Sequence, residues 1–286
     1  MSDDLQTLIE IINLRKIDES TFAGDSVPVL LNQIFGGQIL AQALSAALNT
    51  VPEDRIVHSS HGYFIRLGKP ELPVIFRVEN IRDGGSFNTR RVVASQNDSS
   101  IFITSLSFQA KEEGHNFQVS MPETLPPTAL VDESERWNHH RVVIANPDKK
   151  ITFQPLDIRH TSPVDWFAPE SQSPQTGVWL RTRGPLPDRP AIHQSMLAYF
   201  SDLYLYGASL RPHGLSVFSP GMQPASLDHS IWFHGSFRAD EWLYYHLESS
   251  WTGNARGLNY GKFFTQDGRL VASTAQEGLM RLRKDR

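Results

Sequence analysis

Apolar residues recur at helical spacing in two segments near the start of the chain. Between Asp4 and Ile17 this spacing predicts an amphipathic helix packed on the body of the protein, with apolar positions at Leu5, Leu8, Ile9, Ile12 and Leu14. A second segment begins with the glycine pair Gly36-Gly37, and its apolar positions span a broad helical face: Ile39, Leu40, Ala43, Leu44 and Ala47. The hydrophobic pattern therefore begins with two helices.

From Val57 to about Ala110 the pattern changes to that of β-strands. Four runs rich in β-branched and aromatic residues predict an antiparallel meander, with turns at Asp83-Gly84-Gly85 and Asn97-Asp98. Between Lys111 and Pro155, prolines are scattered among polar residues, which is typical of a linker. We therefore predict an N-terminal unit at residues 1–112, a linker at 113–155 and a C-terminal unit at 156–286.

The order of elements repeats after the linker. A helical segment, AIHQSMLAYFSDLYLYGASL, precedes strand-like runs that end with RLVASTAQEGLMRL. Three landmarks recur at one constant offset along the chain: Tyr63-Phe64 matches Trp232-Phe233, Gly84 matches Gly253, and Asp98 matches Asp267. This self-similarity indicates an internal duplication.

Each predicted repeat supplies one long helix and a set of antiparallel strands. A curved sheet wrapped around an apolar helix buries the apolar face of both elements. This arrangement is the hot-dog fold, so the chain is predicted to be an α+β protein of the double hot-dog type. Pairing between the sheets of the two repeats would hide edges that are otherwise open to aggregation.

Charge and composition disfavour a nucleic-acid partner and a membrane span. The formal net charge is -4 and the estimated pI is 6.3, so the chain lacks the basic field that nucleic-acid binding requires. No stretch approaches the roughly 18 apolar residues of a membrane span, and the start, MSDDLQ, is acidic where a secretory signal is basic. We therefore expect no nucleic-acid partner, no membrane span and a cytoplasmic location.

Several kinds of active site are disfavoured by the residues present. The chain has no cysteine, which removes thiolate metal sites and cysteine nucleophiles, and no Gly-x-Ser-x-Gly motif marks a serine nucleophile. Histidine pairs at His58/His61, His139/His140 and His229/His234 lack a strong metal-ligand signature. His58 and His61 are three residues apart on a predicted strand and are expected on opposite faces. No metal or cofactor is predicted.

Three polar residues stand in apolar surroundings. Asp202 lies within the helical segment AYFSDLYLY, where burial would raise its pKa and favour a role as general base. The alternative is a partly exposed or salt-bridged aspartate. Ser226 and Gln276 lie in predicted strands, where the alternatives are a turn hydroxyl and an outward-facing amide. The glycine pair at Gly36 also offers helix N–H groups that can polarise a carbonyl.

Six segments of the chain resemble the acyl-CoA thioesterase II family: IFGGQILAQAL, VHSSHGYFIR, RDGGSFNTRRVVASQN, SLDHSIWFH, FFTQDGRLVAST and AQEGLMR. The resemblance covers nearly the whole chain and is weakest between Lys111 and Arg189. It implies hydrolysis of acyl-CoA to free fatty acid and CoA by a water molecule that an aspartate, a threonine and a glutamine hold. The matching residues are Asp202, Ser226 and Gln276. Serine keeps the hydroxyl of threonine but lacks the methyl group that restricts χ1.

The internal repeat predicts that only one copy carries this cluster. The same constant offset places Val57 opposite Ser226 and Ser107 opposite Gln276. The second repeat is therefore expected to supply the catalytic residues, and the first to supply scaffold and pocket wall.

The resemblance also implies how the substrate binds and how the chain assembles. An apolar tunnel for the acyl chain and basic groups for the CoA phosphates are expected, with Arg66, Arg90, Arg91 and Arg256 as candidates; ordinary solvated charges are the alternative. A homo-oligomer, either dimer or tetramer, is expected. Two other functions remain open on the same fold: a non-catalytic acyl-CoA-binding or regulatory protein, and an enoyl-CoA hydratase.

Overall fold

In the part of the chain that the structure describes, the N-terminal half forms two helices and six strands. The computed structural model describes residues 3–26, 33–140 and 155–283. The elements of the first repeat are α1 (Asp3–Ile12), β1 (Arg15–Lys16), β2 (Thr21–Gly24), α2 (Gly36–Leu48), β3 (Arg55–Phe64), β4 (Val74–Asp83), β5 (Phe87–Gln96) and β6 (Ser99–Ala110). The four antiparallel strands expected between Val57 and Ala110 are present as β3 to β6. Only β4, β5 and β6 form a meander, however, because β3 pairs with β6 and not with β4.

The second half repeats this order after an extended connection. A short 3₁₀ turn (Pro127–Ala129) and α3 (Glu133–His140) lead to the second repeat. Its elements are β7 (Leu156–His160), β8 (Gln175–Thr182), α4 (Pro190–Ser201), α5 (Gly207–Leu210), a 3₁₀ turn (Arg211–His213), β9 (Met222–Ser226), β10 (Asp228–Phe233), β11 (Leu243–Gly253), β12 (Arg256–Thr265) and β13 (Leu270–Leu282). The domain limits at residues 112 and 155 stay a prediction.

Within the described residues the strands join into one antiparallel sheet of 13 strands. Its order is β1-β2-β4-β5-β6-β3-β10-β13-β12-β11-β8-β7, and β9 pairs with β13. The two repeats meet where β3 pairs with β10, and at the centre of this pairing His61 lies opposite Ser230. These two residues are 169 positions apart, which is also the offset of the sequence repeat. An approximate two-fold axis therefore passes through the junction.

Irregularities in the strands recur at the same offset. The pairing of β4 with β5 shifts between Asn80 and Arg82, and that of β11 with β12 shifts between Ser249 and Trp251. A β-bulge is a specific local feature of a strand pair, so its recurrence supports an internal duplication. A further shift between Val57 and Ser59 in β3 corresponds to the break between β9 and β10 at Leu227.

The strand registers correct one residue equivalence. Ala275 pairs with Ser230 in the second repeat, and Ser105 pairs with His61 in the first. Because His61 and Ser230 are equivalent, the counterpart of Gln276 is Leu106 rather than the expected Ser107. The turn between β12 and β13 shifts the last strand by one residue, which a constant offset does not detect.

Helices α2 and α4 lie side by side against one face of the sheet. Almost every residue of both helices is buried, so neither shows a polar stripe. Helix α1 packs beside them, and Gln42 ties it to α2 by donating to the carbonyl of Ile11 at 2.9 Å. On the opposite face of the sheet, the connection between the repeats covers part of the second repeat, where the Trp179 indole donates to the Leu125 carbonyl.

Two helix limits differ from the sequence prediction. Helix α1 ends at Ile12, and Arg15–Lys16 already pairs with β2. The long helix expected in the second repeat ends at Ser201, and a short turn separates it from α5. Asp202 is therefore the residue that ends α4, with φ -90° and ψ -12°, and not a residue within a continuous helix.

Candidate active site

A cavity of about 440 Å³ opens where the two repeats meet. Its walls come from the start of α2, the segment that follows β3, the turn after α4, and strand β9. The lining is mostly apolar, and its main side chains are Ile34, Phe35, Ile39, Phe64, Ile65, Leu67, Ile101, Phe102, Tyr206, Val217, Pro224 and Leu227. Asp202 and Ser226 bring polar atoms to this wall. An apolar cleft with a few convergent polar groups is typical of a small-molecule site.

Asp202, Ser226 and Gln276 meet at the cavity wall although they lie on three separate elements. The Gln276 amide donates to Oδ1 of Asp202 at 2.6 Å and to Oγ of Ser226 at 3.0 Å. The Ser226 hydroxyl lies 3.5 Å from the same carboxylate oxygen, at the long limit of a hydrogen bond. Gln276 is fully buried behind the other two residues. The structure thus brings together all three residues that the sequence singled out.

Hydrogen bonds next to Ser226 and Gln276 hold the strands that carry these two residues. The break at Leu227 ends β9, and the Leu227 amide donates to the carbonyl of Glu277 at 2.9 Å. Gln276 pairs with Asn259 on β12, and the Asn259 side chain accepts a hydrogen bond from the Ser209 amide at 2.9 Å. The Asn259 side chain also donates to the Gln276 carbonyl at 3.4 Å, so buried polar groups connect β13 to Ser209 in α5.

The glycine pair at the start of α2 lies directly against Asp202. A Cβ atom on Gly36 would stand 2.5 Å from Oδ2 of Asp202, and one on Gly37 would collide with the carbonyl oxygen of Tyr199. The Gly37 N–H donates a hydrogen bond to the Asp202 carboxylate. The helix start therefore contacts the acid itself, whereas the sequence suggested that its N–H groups polarise a carbonyl.

Burial raises the pKa of Asp202 above its ordinary value of 3.8. The hydrogen bonds from Gln276, Gly37 and Ser226 act in the opposite direction because they stabilise the anion, and burial is the larger effect. A carboxylate in this state is a better proton acceptor near neutral pH than an exposed aspartate.

Of the four candidate arginines, the structure brings one to the cavity. Arg66 lines the cavity, and its guanidinium donates to the Ser100 carbonyl at 2.8 Å. Arg90 is buried and bonds to Thr50 and Asp83, so it fastens α2 to β4. Arg91 and Arg256 are partly exposed and lie near Glu79 and Glu277.

A larger and more open groove of about 670 Å³ lies near the edge of the second repeat. Each arginine that lines it already has a carboxylate partner: Arg181 pairs with Asp157, Arg183 with Asp132, and Arg238 with Asp240. No nucleophile or base in this groove, among the described residues, is activated by its surroundings in the way that Asp202 is. The smaller cavity is therefore the candidate active site.

The histidines lie elsewhere, and one prediction about them is wrong. The bulge after Val57 turns His58 and His61 onto the same outer face of the sheet, where they bond to Ser107 and Ser230. His139 and His140 have side chains outside the described residues. Among the residues that the structure describes, no three possible ligands are grouped as a metal ion requires, and no helix is long and apolar enough to cross a membrane.

Some features of this site escaped the sequence patterns. Tyr206 forms part of the cavity wall, a role that no pattern in the sequence indicated. Outside the site, strand β8 was not predicted, and it lies within the region where the family resemblance is weakest. The run VWLRT, with Trp179 and Leu180 buried, carried a strand signal. The contact between Gly36 and Asp202 had no signal beyond the glycine pair, because it joins two repeats.

Comparison with known proteins gives the site a family context. A family described as acyl-CoA thioesterase matches residues 152–279, and one described as acyl-CoA thioesterase N-terminal domain matches residues 29–109. Acyl-CoA thioesterase 2 of Haemophilus influenzae is 38% identical over 283 residues, which cover 98% of this chain and 99% of that protein.

Solved structures agree with the fold. The acyl-CoA thioesterase II TesB2 of Mycobacterium marinum is 39% identical, with a TM-score of 0.80 over 97% of this chain and 99% of that chain. A hot-dog-fold protein of unknown function from Alicyclobacillus acidocaldarius is 18% identical, with a TM-score of 0.76 over 97% and 99% of the two chains, and shows the fold alone. The predicted double hot-dog fold is confirmed. On the extent of these matches, the chain belongs to the acyl-CoA thioesterase family.

Proposed function

We propose that this chain hydrolyses acyl-CoA thioesters with a water molecule that Asp202, Ser226 and Gln276 hold. The observation that carries the proposal is the hydrogen-bonded cluster of these three side chains, in which Asp202 and Ser226 line an apolar cavity and Gln276 lies buried behind them. Burial makes Asp202 a stronger proton acceptor, and the hydrogen bonds from Gln276 and Gly37 fix its direction. The family to which the chain belongs supports the same chemistry.

The reaction needs no covalent enzyme intermediate. Asp202 accepts a proton from water as the water oxygen bonds to the thioester carbonyl carbon, and the carbonyl oxygen becomes an oxyanion. When this tetrahedral intermediate collapses, the carbon–sulfur bond breaks and the thiolate of CoA leaves with the electron pair. The proton held by Asp202 then passes to the thiolate, which yields the free acid and CoA and restores the carboxylate.

The cavity and its rim suit the two parts of the substrate. Apolar side chains such as Ile39, Phe64 and Phe102 offer the acyl chain an environment that removes it from water, worth about 0.8 kcal/mol for each buried methylene. Arg66 lies at the exposed end of the same cavity, which suits a contact with the CoA phosphates. Arg90 does not suit that role because it is buried.

The two alternative functions fit these contacts less well. A non-catalytic acyl-CoA-binding protein does not require a buried carboxylate that three donors orient. For a hydratase, no histidine bonds to Asp202 among the described residues, and the buried His229 bonds instead to Ser201 at 2.9 Å. Burial lowers the pKa of His229 to about 3, so it stays neutral. Hydrolysis remains the function that the geometry supports best.

We propose further that the chain acts as a cytoplasmic homo-oligomer that assembles through the outer face of the sheet. Tyr63 and Trp232 lie on this face beside the junction of the repeats, with 60% and 38% of their surface exposed. His61 and Ser230 lie between these two side chains. Burial lowers the pKa of His61, which favours its neutral form. An aromatic patch of this kind, with Asp228 opposite Tyr63 at its edge, suits contact with a second copy.

The first prediction concerns the base. Asp202→Asn keeps the shape of the side chain but removes its ability to accept a proton, so kcat should fall by about 100-fold or more. Release of free thiol from acetyl-, octanoyl- and palmitoyl-CoA measures this directly. Near-normal turnover in the variant would contradict the assignment of Asp202 as the base. No thiol release by the wild type from any of the three substrates would favour the binding-protein function, and water addition to an enoyl-CoA would favour the hydratase.

The second prediction concerns the arginine at the rim. Arg66→Gln should raise KM for octanoyl-CoA by up to about tenfold and leave kcat nearly unchanged, because a charged hydrogen bond to phosphate contributes on the order of 1.5 kcal/mol. Arg91→Gln is the matched control, since Arg91 does not line the cavity. Equal effects of the two variants would contradict a specific role for Arg66.

The third prediction concerns the glycine pair. Gly36→Ala places a methyl group in the space of the Asp202 carboxylate and should reduce kcat by roughly 100-fold, the cost of displacing a catalytic group by about an ångström. Gly85→Ala is the control because nothing lies within 4 Å of its added Cβ. Both variants should unfold near the wild-type temperature. Full activity of Gly36→Ala would show that the carboxylate does not need this position.

The fourth prediction concerns assembly. Light scattering should give the wild type a mass at least twice the 32.3 kDa of one chain, and Trp232→Lys should lower it because a charge enters the aromatic patch. Trp251→Lys is the control, since Trp251 has a similar exposed fraction of 43% but lies on β11, away from the junction. A wild type that scatters as a single chain at micromolar concentration would refute the oligomer.

A further inference from the structure

The backbone two residues after Asp202 adopts a conformation that is costly for its side chain. Tyr204 has φ 63°, in the left-handed region. The other described non-glycine residues with positive φ are Asn97, Asp98, Asn254 and Ala255, which form the two-residue turns of hairpins. Such turns require positive φ, whereas Tyr204 lies between two helices. A bulky residue in this region is an outlier that the surrounding structure must hold in place.

The left-handed turn sets which side chains face the cavity. Asp202 and Tyr206, on either side of Tyr204, both line the cavity. Leu203 and Leu205 are buried in the core. The Gly207 amide donates to the Tyr204 carbonyl at 3.0 Å, so α5 begins directly from this turn. The reversal at Tyr204 thus lets one short segment present an acid and a wall residue to the same cavity.

An aromatic and charged cluster surrounds the Tyr204 ring. The ring of His160 meets it edge-on with centroids 4.4 Å apart, and Trp166 stacks beside it at 6.2 Å. The Trp166 indole donates to the buried carboxylate of Glu133 at 3.2 Å, and Arg136 pairs with that carboxylate at 2.9 Å. We call His160, Trp166 and Glu133 the tyrosine cage.

From this geometry we propose that Tyr204 is a positioning residue for the reaction: the tyrosine cage holds its left-handed backbone, which directs the Asp202 carboxylate to the water it activates. The inference rests on the proposed function of Asp202. It gives a role to α3 in the connection between the repeats, because α3 supplies Glu133 to the cage.

The cage also contacts a second segment that lines the cavity. Phe218 packs on Trp166 and Phe167, with ring centroids 6.2 Å and 5.5 Å away, and its neighbour Val217 lines the cavity. The Ser216 hydroxyl donates to the Trp166 carbonyl at 2.5 Å. One cluster therefore supports both the turn that follows Asp202 and the segment that carries the lining residue Val217.

The test compares variants at position 204 by the pH dependence of kcat. Tyr204→Gly allows positive φ but frees the turn, and Tyr204→Ala removes the ring while keeping the backbone cost. In both, kcat should fall by about tenfold or more because the base is misdirected, and KM should change less than kcat because most of the cavity lining lies on other segments. Tyr204→Phe keeps the ring in the cage and should retain kcat within about threefold.

The acidic limb of the kcat profile separates positioning from general loss of stability. Burial raises the pKa of Asp202, and a freed carboxylate is better hydrated, so the limb should move to lower pH in Tyr204→Gly. Among the described residues, the charge of Asp202 acts on Tyr199 and Tyr245, and burial raises the pKa of both, so neither accounts for an acidic limb. The buried His229 bonds to Ser201 beside Asp202, and burial lowers its pKa to about 3, in the direction opposite to that of Asp202.

Two controls keep the outcome decisive. Ala255→Gly relaxes a positive φ of 58° in the hairpin between β11 and β12, which does not line the cavity, and should leave kcat and the acidic limb unchanged. If Tyr204→Gly does not fold, Trp166→Leu loosens the cage without altering residue 204 and should shift kcat and the limb in the same direction. Folded variants with wild-type kcat and an unchanged limb would overturn the positioning role, while an active Asp202→Asn would overturn the proposed function itself.

Discussion

The site depends on one close contact between the repeats, where the start of α2 meets the end of α4. Gly36 and Gly37 lack the Cβ atoms that would occupy the positions of the Asp202 carboxylate and the Tyr199 carbonyl. Because α2 belongs to the first repeat and α4 to the second, the contact exists only when β3 and β10 pair and place both helices on one face of the sheet. The backbone at the start of α2 in the first repeat thus donates a hydrogen bond to the Asp202 carboxylate of the second repeat.

The two repeats use equivalent positions for different purposes. Ser226 and Gln276 in the second repeat correspond to Val57 and Leu106 in the first, both of which are buried in the core. The apolar side chains of Val57 and Leu106 need no hydrogen-bond partners, unlike the hydroxyl and amide groups at the equivalent positions. The first repeat therefore has apolar core packing where the second repeat has the polar cluster. The polar cluster therefore belongs to the second repeat, and the first repeat contributes the start of α2 and much of the cavity wall.

The polar cluster carries energetic costs that the surrounding fold offsets. The Asp202 carboxylate loses its hydration on burial, and hydrogen bonds from Gln276, Ser226 and the Gly37 amide replace part of the lost interaction with water. Local departures from low-energy structure concentrate at the same place, where Tyr204 is left-handed and β9 breaks from β10 at Leu227. Such departures persist only where many other contacts determine the backbone, which is a common property of functional sites.

The sequence by itself determined the local elements and the residues of the cluster. Periodicity identified α2 and strands β3 to β6, the constant offset of the repeat predicted two matched units, and Asp202, Ser226 and Gln276 stood out as polar residues in apolar runs. Tertiary structure decided what periodicity cannot express. The bulge after Val57 reversed the expected faces of His58 and His61, and Leu106 replaced Ser107 as the counterpart of Gln276. The turn at Tyr204 ended a helix that the apolar pattern continued, and Arg90 became buried. Each of these outcomes depends on contacts between segments far apart in the chain, whereas a hydrophobic pattern records only the preferences of neighbouring residues.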